Sequence, residues 1–442
     1  MLNKNLKNHK KVGFFSLYFS VALLIQVIYT RVAYYHSITS YATNQHNYPK
    51  ITFKTNSMKN VPNFTTALRE LISSPSISSS QESWDQGNKE IIHLLSGWFE
   101  SLGFSISIQK VPNTRDKYNL LAKLGSGEGG LLLAGHSDTV PFDENRWQSD
   151  PFSIIEKDNK FFGLGTCDMK GFFAFILQVC KDLDPKKLQK PLYVLATADE
   201  ETTMAGARFF SQNQEIKPDV AIIGEPTNLV PIIMHKGHMS HRISVEGQSG
   251  HSSKPSLGVN AIEIMYQIIG ALLTLKENLA LNYNNNAFDV SAPTLNLGAI
   301  KGGDNSNRIC GHCDLDIDMR SLPGMTDDEL ITCLTDALKP LAEKYPGRIT
   351  IDELHPSSPS FEQTQPSDLI ESAEHFSGHK CCAVNYATEA PFIQELGCQT
   401  IVMGPGSIDQ AHQPNEFLAL SEITKTEALL VKMISKYCLK NK

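Results

Sequence analysis

Short, nearly unbroken apolar runs that each end in an acid or a histidine constrain this chain most. Residues 131–135 (LLLAG) run into His136-Ser137-Asp138, residues 192–198 into Asp199-Glu200-Glu201, and residues 220–224 into Glu225-Pro226-Thr227. A strand that is apolar on both sides must be covered on both, which is the condition of a mostly parallel sheet flanked by helices. The helices are at hand: residues 171–183 and 205–210 lie between these runs, and residues 64–73 and 90–102 precede them. In the 90–102 segment Ile91, Ile92, Leu94, Leu95, Trp98, Phe99 and Leu102 recur at helical spacing. Further strands are predicted at 105–109 and 118–124.

From His241 the pattern changes. A strand at 241–246, a long helix at 259–279, strands at 293–300 and 309–320 and a helix at 327–345 make an α+β sandwich unit. A strand at 400–403 and a helix at 421–438 then resume the first pattern. A chain of 442 residues exceeds the roughly 250–300 residues at which one core stops growing, so at least two domains are expected. The predicted fold is α/β: a catalytic domain with a mixed, mostly parallel sheet covered by helices, plus an inserted α+β sandwich serving as lid and dimerisation domain. The expected boundaries are 58–238, 239–350 and 351–442.

Residues 1–57 carry seven Lys/Arg and no acid, so the remainder holds a net charge of −14. Lys4, Lys7, Lys10 and Lys11 precede an uncharged stretch over 12–30 that is just long enough to span a bilayer. It reads as a signal-anchor with the lysines cytoplasmic, or as a segment foreign to the folded protein; a cleaved signal peptide lacks its small-x-small site. The composition of 1–57, rich in Lys, Asn, Phe, Tyr, Ile, Leu and Ser, resembles translated AT-rich DNA, and Met58 stands just before the first well-formed helix. The expectation is an extension outside the folded protein, with membrane attachment only through 12–30. An acidic body suits small neutral or cationic ligands rather than nucleic acid.

Nine cysteines, an odd number set mostly inside apolar runs, argue against a secreted disulfide framework and for the reducing cytoplasm. Cys310-Gly-His-Cys313 resembles a thiol–disulfide motif, but that motif opens a helix. Here Cys313, Leu315, Ile317 and Met319 alternate with Asp314, Asp316, Asp318 and Arg320, so the pair reads as two reduced cysteines in a strand.

The strand ends carry the chemistry. His136 and Asp138, two residues apart on extended chain, point the same way. The turn at Asp168, opening the helix at Gly171, falls between the first two strand ends, and His412 lies near the C-terminus in Gln410-Ala411-His412-Gln413-Pro414. Each group alone has an ordinary explanation, as a helix cap, a solvated loop residue or a histidine satisfying a core hydrogen bond. The set does not. Four or five carboxylates on one rim cannot all stay ionised without compensating cations. Two divalent ions would balance Asp168, Glu201, Glu225 and a bridging hydroxide.

Together HSDTVP (136–141), GTCDMKG (165–171), ATADEET (196–202), IGEPT (223–227) and QAHQP (410–414) resemble the co-catalytic metallopeptidase family of aminoacylases and carboxypeptidase-G-type enzymes. EGQSGHSS (246–253) and NYATEAPFIQELG (385–397) look like its acetylornithine deacetylase branch. The resemblance covers residue 58 to the C-terminus. Ser137 and Cys167 stand where Thr and Ala would be commoner, but neither supplies a ligand.

The resemblance implies hydrolysis of N2-acetyl-L-ornithine to ornithine and acetate, a step of arginine biosynthesis, by a homodimer holding two Zn²⁺ or Co²⁺ per chain. It implies His136 and Glu225 on one ion, Glu201 and His412 on the other, and Asp168 as the bridge. Asp138 would hold the imidazole of His136 by its other nitrogen, and Glu200 would be the general base. His251 would reach the active site of the partner subunit and steady the oxyanion, or else cap its own turn. Asn307 and Arg320 would hold the substrate α-carboxylate, although Arg320 also fits a solvated strand face. A deacylase of another N-acyl amino acid, such as succinyl-diaminopimelate, is the alternative. An inactive binding relative would lack a ligand or base, and none is lacking; a membrane-anchored peptidase depends wholly on residues 1–57.

Overall fold

The apolar runs that end in acids form the middle of one sheet. The computed structural model describes residues 61–213 and 216–439; the anchor and extension readings of residues 1–57 lie outside the described residues. Helices α1 (Phe64–Ile72) and α2 (Lys89–Ser101) lead into strands β1 (Ser105–Lys110), β2 (Tyr118–Leu124) and β3 (Leu131–His136). A short hairpin, β4 (Ile155–Lys157) and β5 (Lys160–Phe162), precedes α3 (Gly171–Lys181), β6 (Leu192–Thr197), α4 (Ala205–Asn213), β7 (Val220–Pro226) and β8 (Ile232–His235).

The inserted unit comprises β9 (His238–Glu246), α5 (Ala261–Asn282), β10 (Thr294–Gly302), β11 (His312–Arg320), α6 (Asp327–Lys344) and β12 (Ile349–Ser358). The chain then returns through β13 (Phe361–Glu362), α7 (Asp368–Ser377), β14 (Cys382–Val384), α8 (Ala390–Gln394), β15 (Gln399–Gly404), β16 (Phe417–Ala419) and α9 (Ser421–Cys438).

The large sheet has the order β1-β2-β6-β3-β7-β15-β8-β13, with β14 also paired to β8. Its four central strands, β6, β3, β7 and β15, run parallel, with Leu131 opposite both Leu192 and Val220, and Val220 opposite Gln399. Their C-terminal ends therefore share one rim. Period-two packing explains why both faces are apolar. Leu131, Leu133, Val194, Ile222 and Ile401 face a core shared with α1, α2, α3 and α9, while Leu132, Ala134, Leu195, Ile223 and Val402 face Phe210 and Ile393 of α4 and α8. Helix α3 is buried from Gly171 to Leu177, and each fully buried Phe or Leu contributes about 1.5–3 kcal/mol. At Gly135 a Cβ would run into the Met169 side chain, so glycine there lets the start of α3, and Asp168 with it, close on the end of β3.

The inserted unit is an antiparallel sheet of order β10-β11-β9-β12, and α5 and α6 bury Ile243, Val245, Leu315, Ile317 and Met319 against one face. Helix α6 starts on a capping box between Thr326 and Glu329. Strand β12 carries this sheet to Ser358, past residue 350. A third, small sheet of order β16-β5-β4 pairs Phe417 with Phe162. Among the described residues no helix is long and apolar enough to cross a membrane.

Candidate metal centre

His136 ends β3, Glu200 and Glu201 follow β6, Glu225 is the next-to-last residue of β7, and Asp168 precedes α3. His136 Nε2 stands 3.1 Å from Asp168 Oδ1 and 3.8 Å from Glu225 Oε1. His412 Nε2 stands 3.0 Å from Glu201 Oε2 and 3.6 Å from Asp168 Oδ2. Asp168 thus turns one oxygen to each histidine. The donor atoms of His136, Asp168 and Glu225 all lie within 4.8 Å of one another, as do those of Asp168, Glu201 and His412. A third such group joins Glu200 to His136 and Glu201. His136 is buried while the His412 side chain is 57% exposed, so the cluster opens to solvent on the His412 side.

The electrostatics are those of a site built around positive charge. Burial pushes the carboxyls of Glu200, Glu201 and Glu225 up, and neighbouring acids push each further. Burial opposes charge on His136, but Asp168, Glu225 and Glu200 outweigh it and hold that imidazole well above its ordinary value. The hydrogen bond to Glu201 holds His412 up at about 9. Two imidazoles and three carboxylates, with the carboxylates crowded and short of cations, are the mixed N/O donor set of a site for borderline divalent ions. The residues present fit two ions sharing Asp168.

Asp138 supports the cluster through both its main chain and its carboxylate. His136 Nδ1 donates to the Asp138 main-chain carbonyl at 3.1 Å, and the Asp138 carboxylate lies 3.8 Å away. A carbonyl only accepts, so Nδ1 carries a proton and Nε2 is the nitrogen that faces Asp168, donating to it while the imidazole is charged. The carboxylate instead accepts the backbone N–H groups of Glu200 (3.3 Å) and Glu201 (3.2 Å). It fixes the turn from which the two glutamates diverge.

Several supporting residues were given no role by the sequence. Lys117 joins Asp199 to Ser78 and Asp85, and Thr203 donates to Asp199, which holds the turn after β6. Asp199 sits at φ 66° and His412 at φ 58°, each in the left-handed region. Glu389 is fully buried, accepts from Thr197 at 2.8 Å, and is pushed up to about 7 by burial. Glu416, also buried, accepts backbone N–H groups from the Asp168 loop; burial pushes it up to about 8 against the pull of those donors.

The three remaining candidates lie outside the donor groups. His251 is exposed, and its Nδ1 accepts from the backbone N–H of Ser253 at 3.2 Å, which leaves Nε2 free to carry a proton. Asn307 is its neighbour: its carbonyl accepts from Ser252 at 3.1 Å, and His251 bridges to Arg308. Arg320 donates to Asp318 at 3.1 Å with its side chain 29% exposed.

The sequence matches the family model "Peptidase family M20/M25/M40" over residues 132–436. The fold resembles a metallo-carboxypeptidase of the M20 family from Sulfolobus solfataricus, with 18% identity and a TM-score of 0.69 over 85% of this chain and 99% of that one. A tripeptidase from Staphylococcus aureus gives 19% identity and a TM-score of 0.67 over 86% and 99%. A dinuclear metal-binding M20 peptidase from Bacillus subtilis gives 15% and 0.58 over 84% and 96%. These likenesses show the fold: a large mixed sheet covered by helices, with a separate sheet-rich domain. The chain belongs to the M20/M25/M40 peptidase family.

Proposed function

We propose that this protein removes the acetyl group from N2-acetyl-L-ornithine, giving ornithine and acetate. The observation that carries the hydrolytic reading is the pair of donor groups sharing Asp168, with Glu200 beside both. The substrate rests on the resemblance of 246–253 and 385–397 to acetylornithine deacetylases, and an acidic body suits a cationic side chain.

His136, Asp168 and Glu225 would hold one divalent ion and Asp168, Glu201 and His412 the other, with Zn²⁺ or Co²⁺ suiting the donors. Such ions lower the pKa of a shared water and polarise the amide carbonyl. Glu200 takes the proton of the attacking water and returns it to the leaving amine. Burial among other acids raises that carboxyl, which favours its holding the proton between the two transfers. In a homodimer, His251 of one subunit would donate its Nε2–H to the oxyanion in the other. Asn307 and Arg320 would hold the α-carboxylate, Arg320 leaving Asp318 to do so.

The test loads the full chain with Zn²⁺ or Co²⁺ and measures kcat/KM for acetylornithine, succinyl-diaminopimelate and a set of N-acetyl amino acids. Acetylornithine should give the highest value. A higher value for another acyl amino acid would replace the substrate, and no turnover of any with two ions bound would overturn the hydrolase reading.

A further inference from the structure

We infer that Glu416 is a positioning residue of the metal centre, its carboxyl fastening the loop that carries Asp168 to the segment that carries His412. The inference rests on the dinuclear reading above. Glu416 is 1% exposed. Its Oε1 accepts the backbone N–H groups of Cys167 at 2.7 Å and Asp168 at 2.9 Å, and its Oε2 accepts that of Gly165 at 3.0 Å. Its own carbonyl accepts Gly163 N–H at 3.0 Å, and the next residue, Phe417, pairs with Phe162. One side chain thus satisfies three of the buried donors of a loop that has no helix or strand until Gly171.

The need for such a clasp follows from geometry. Asp168 must present one oxygen to each half of the centre, but it sits on irregular backbone, whereas His136 and Glu225 are fixed by strands. His412, four residues before Glu416, is on irregular backbone too. A second contact brings the same two loops together: Cys167 Sγ lies 3.6 Å from the Ser407 carbonyl. There Gly406, at φ +81°, leaves room for that sulfur where a Cβ would collide with it. Glu416 therefore couples the shared ligand to the ligand contributed from the far end of the chain.

Glu416→Gln keeps the shape but sets an amide NH₂ against at least one backbone N–H that now meets an oxygen. Zn²⁺ affinity, measured by chelator competition on the metal-free full chain, should fall about 10–100-fold, the usual effect of losing a group that orients a ligand. The visible absorption of the Co²⁺-loaded protein should change with it. Phe417→Ala serves as control: its ring packs on Phe162 at 5.6 Å in the same small sheet but accepts none of the three N–H groups. It should lower Tm and leave Zn²⁺ affinity alone. Unchanged affinity in Glu416→Gln, or an equal loss in Phe417→Ala, would overturn the inference. Should Glu416→Gln not fold, Glu416→Asp, which withdraws the carboxylate by one methylene, takes the same measurement with the same expectation. If the unaltered protein binds fewer than two ions, the dinuclear reading itself fails, and the inference with it.

Discussion

The rim at the ends of β3, β6 and β7 and the open face of the inserted sheet are both crowded with acids, yet the three rim glutamates and the β11 aspartates are displaced in opposite directions; burial opposes the charge on Asp168, but His136 and His412 outweigh it and hold that carboxyl below its ordinary value. Glu200, Glu201 and Glu225 are held above the ordinary carboxylate range by burial and by each other. On β11 the hydrogen bond from Arg242 holds Asp316 below it; burial opposes the charge on Asp314 and Asp318, but Ser244, His312, His238 and Arg320 outweigh burial there. The number of acids is therefore not the signal. What separates the regions is whether the chain supplies the compensating cations itself. On β11 every acid has a basic neighbour; at the rim, acids outnumber imidazoles and the balance must come from outside.

The sharpest way to break this contrast is to remove the shared acid. Asp168→Ala should reduce metal content from two ions per chain to one or none and activity to background, because both donor groups lose a member. Asp316→Ala should leave metal content at two. Elemental analysis of the two purified variants decides it, and equal losses would mean that the rim is not special.

The next largest effect separates two adjacent glutamates. Glu200→Ala should retain two ions while kcat falls about 10²–10⁴-fold, the usual contribution of a general base. Glu201→Ala should lose metal instead. If Glu200→Ala loses metal and Glu201→Ala keeps it, the two roles are exchanged.

A smaller, recoverable effect tests the inserted unit. His251→Ala and Glu200→Ala homodimers should each be nearly inactive. After subunit exchange the mixture should regain up to roughly a quarter of full activity, since half the dimers are mixed and each mixed dimer keeps one intact site. No regain, with exchange verified by native mass spectrometry, would confine His251 to capping its own turn through Ser253.

How much of this was legible in sequence follows the same division. The central strands were readable because burial on both faces forces continuous apolar runs, and the rim was readable because those runs stop in His136, Glu200, Glu201 and Glu225. The β4–β5 hairpin, three residues a side and carrying Glu156, Lys157 and Lys160, has no such signature. Strand β12 was missed because only its last residue is buried and it is twice irregular in register. Helices α7 and α8 also went unread, although Ser367 caps α7 through Ile370 N–H. Glu416 shows why supporting residues hide: its partners are backbone groups some 250 positions away, and backbone N–H groups leave no mark in a sequence. The one available sign was an acid four residues past His412 leading into Phe417-Leu418. Asp138 was readable as the neighbour of the other nitrogen of His136, but i, i+2 spacing sets a side and not which oxygen reaches the ring.

The smallest expected effect comes from the paired face. Arg242 meets Asp316 with two hydrogen bonds, Nε to Oδ1 at 2.6 Å and a terminal nitrogen to Oδ2 at 2.9 Å, on side chains 39% and 28% exposed. Solvent screens such a pair, so Arg242→Ala should cost less than about 1 kcal/mol and leave metal content at two. The pH dependence gives the sign. The Asp316 carboxyl is held below its ordinary value of 3.8 in the folded chain, so its contribution is present above that value and is lost as pH falls through the folded one. The Tm difference between Arg242→Ala and the unaltered protein should then be visible at neutral pH and shrink in strong acid. A difference that persists in acid would assign the loss to packing of the arginine stem. A fall in metal content would join this face to the rim and end the distinction between them.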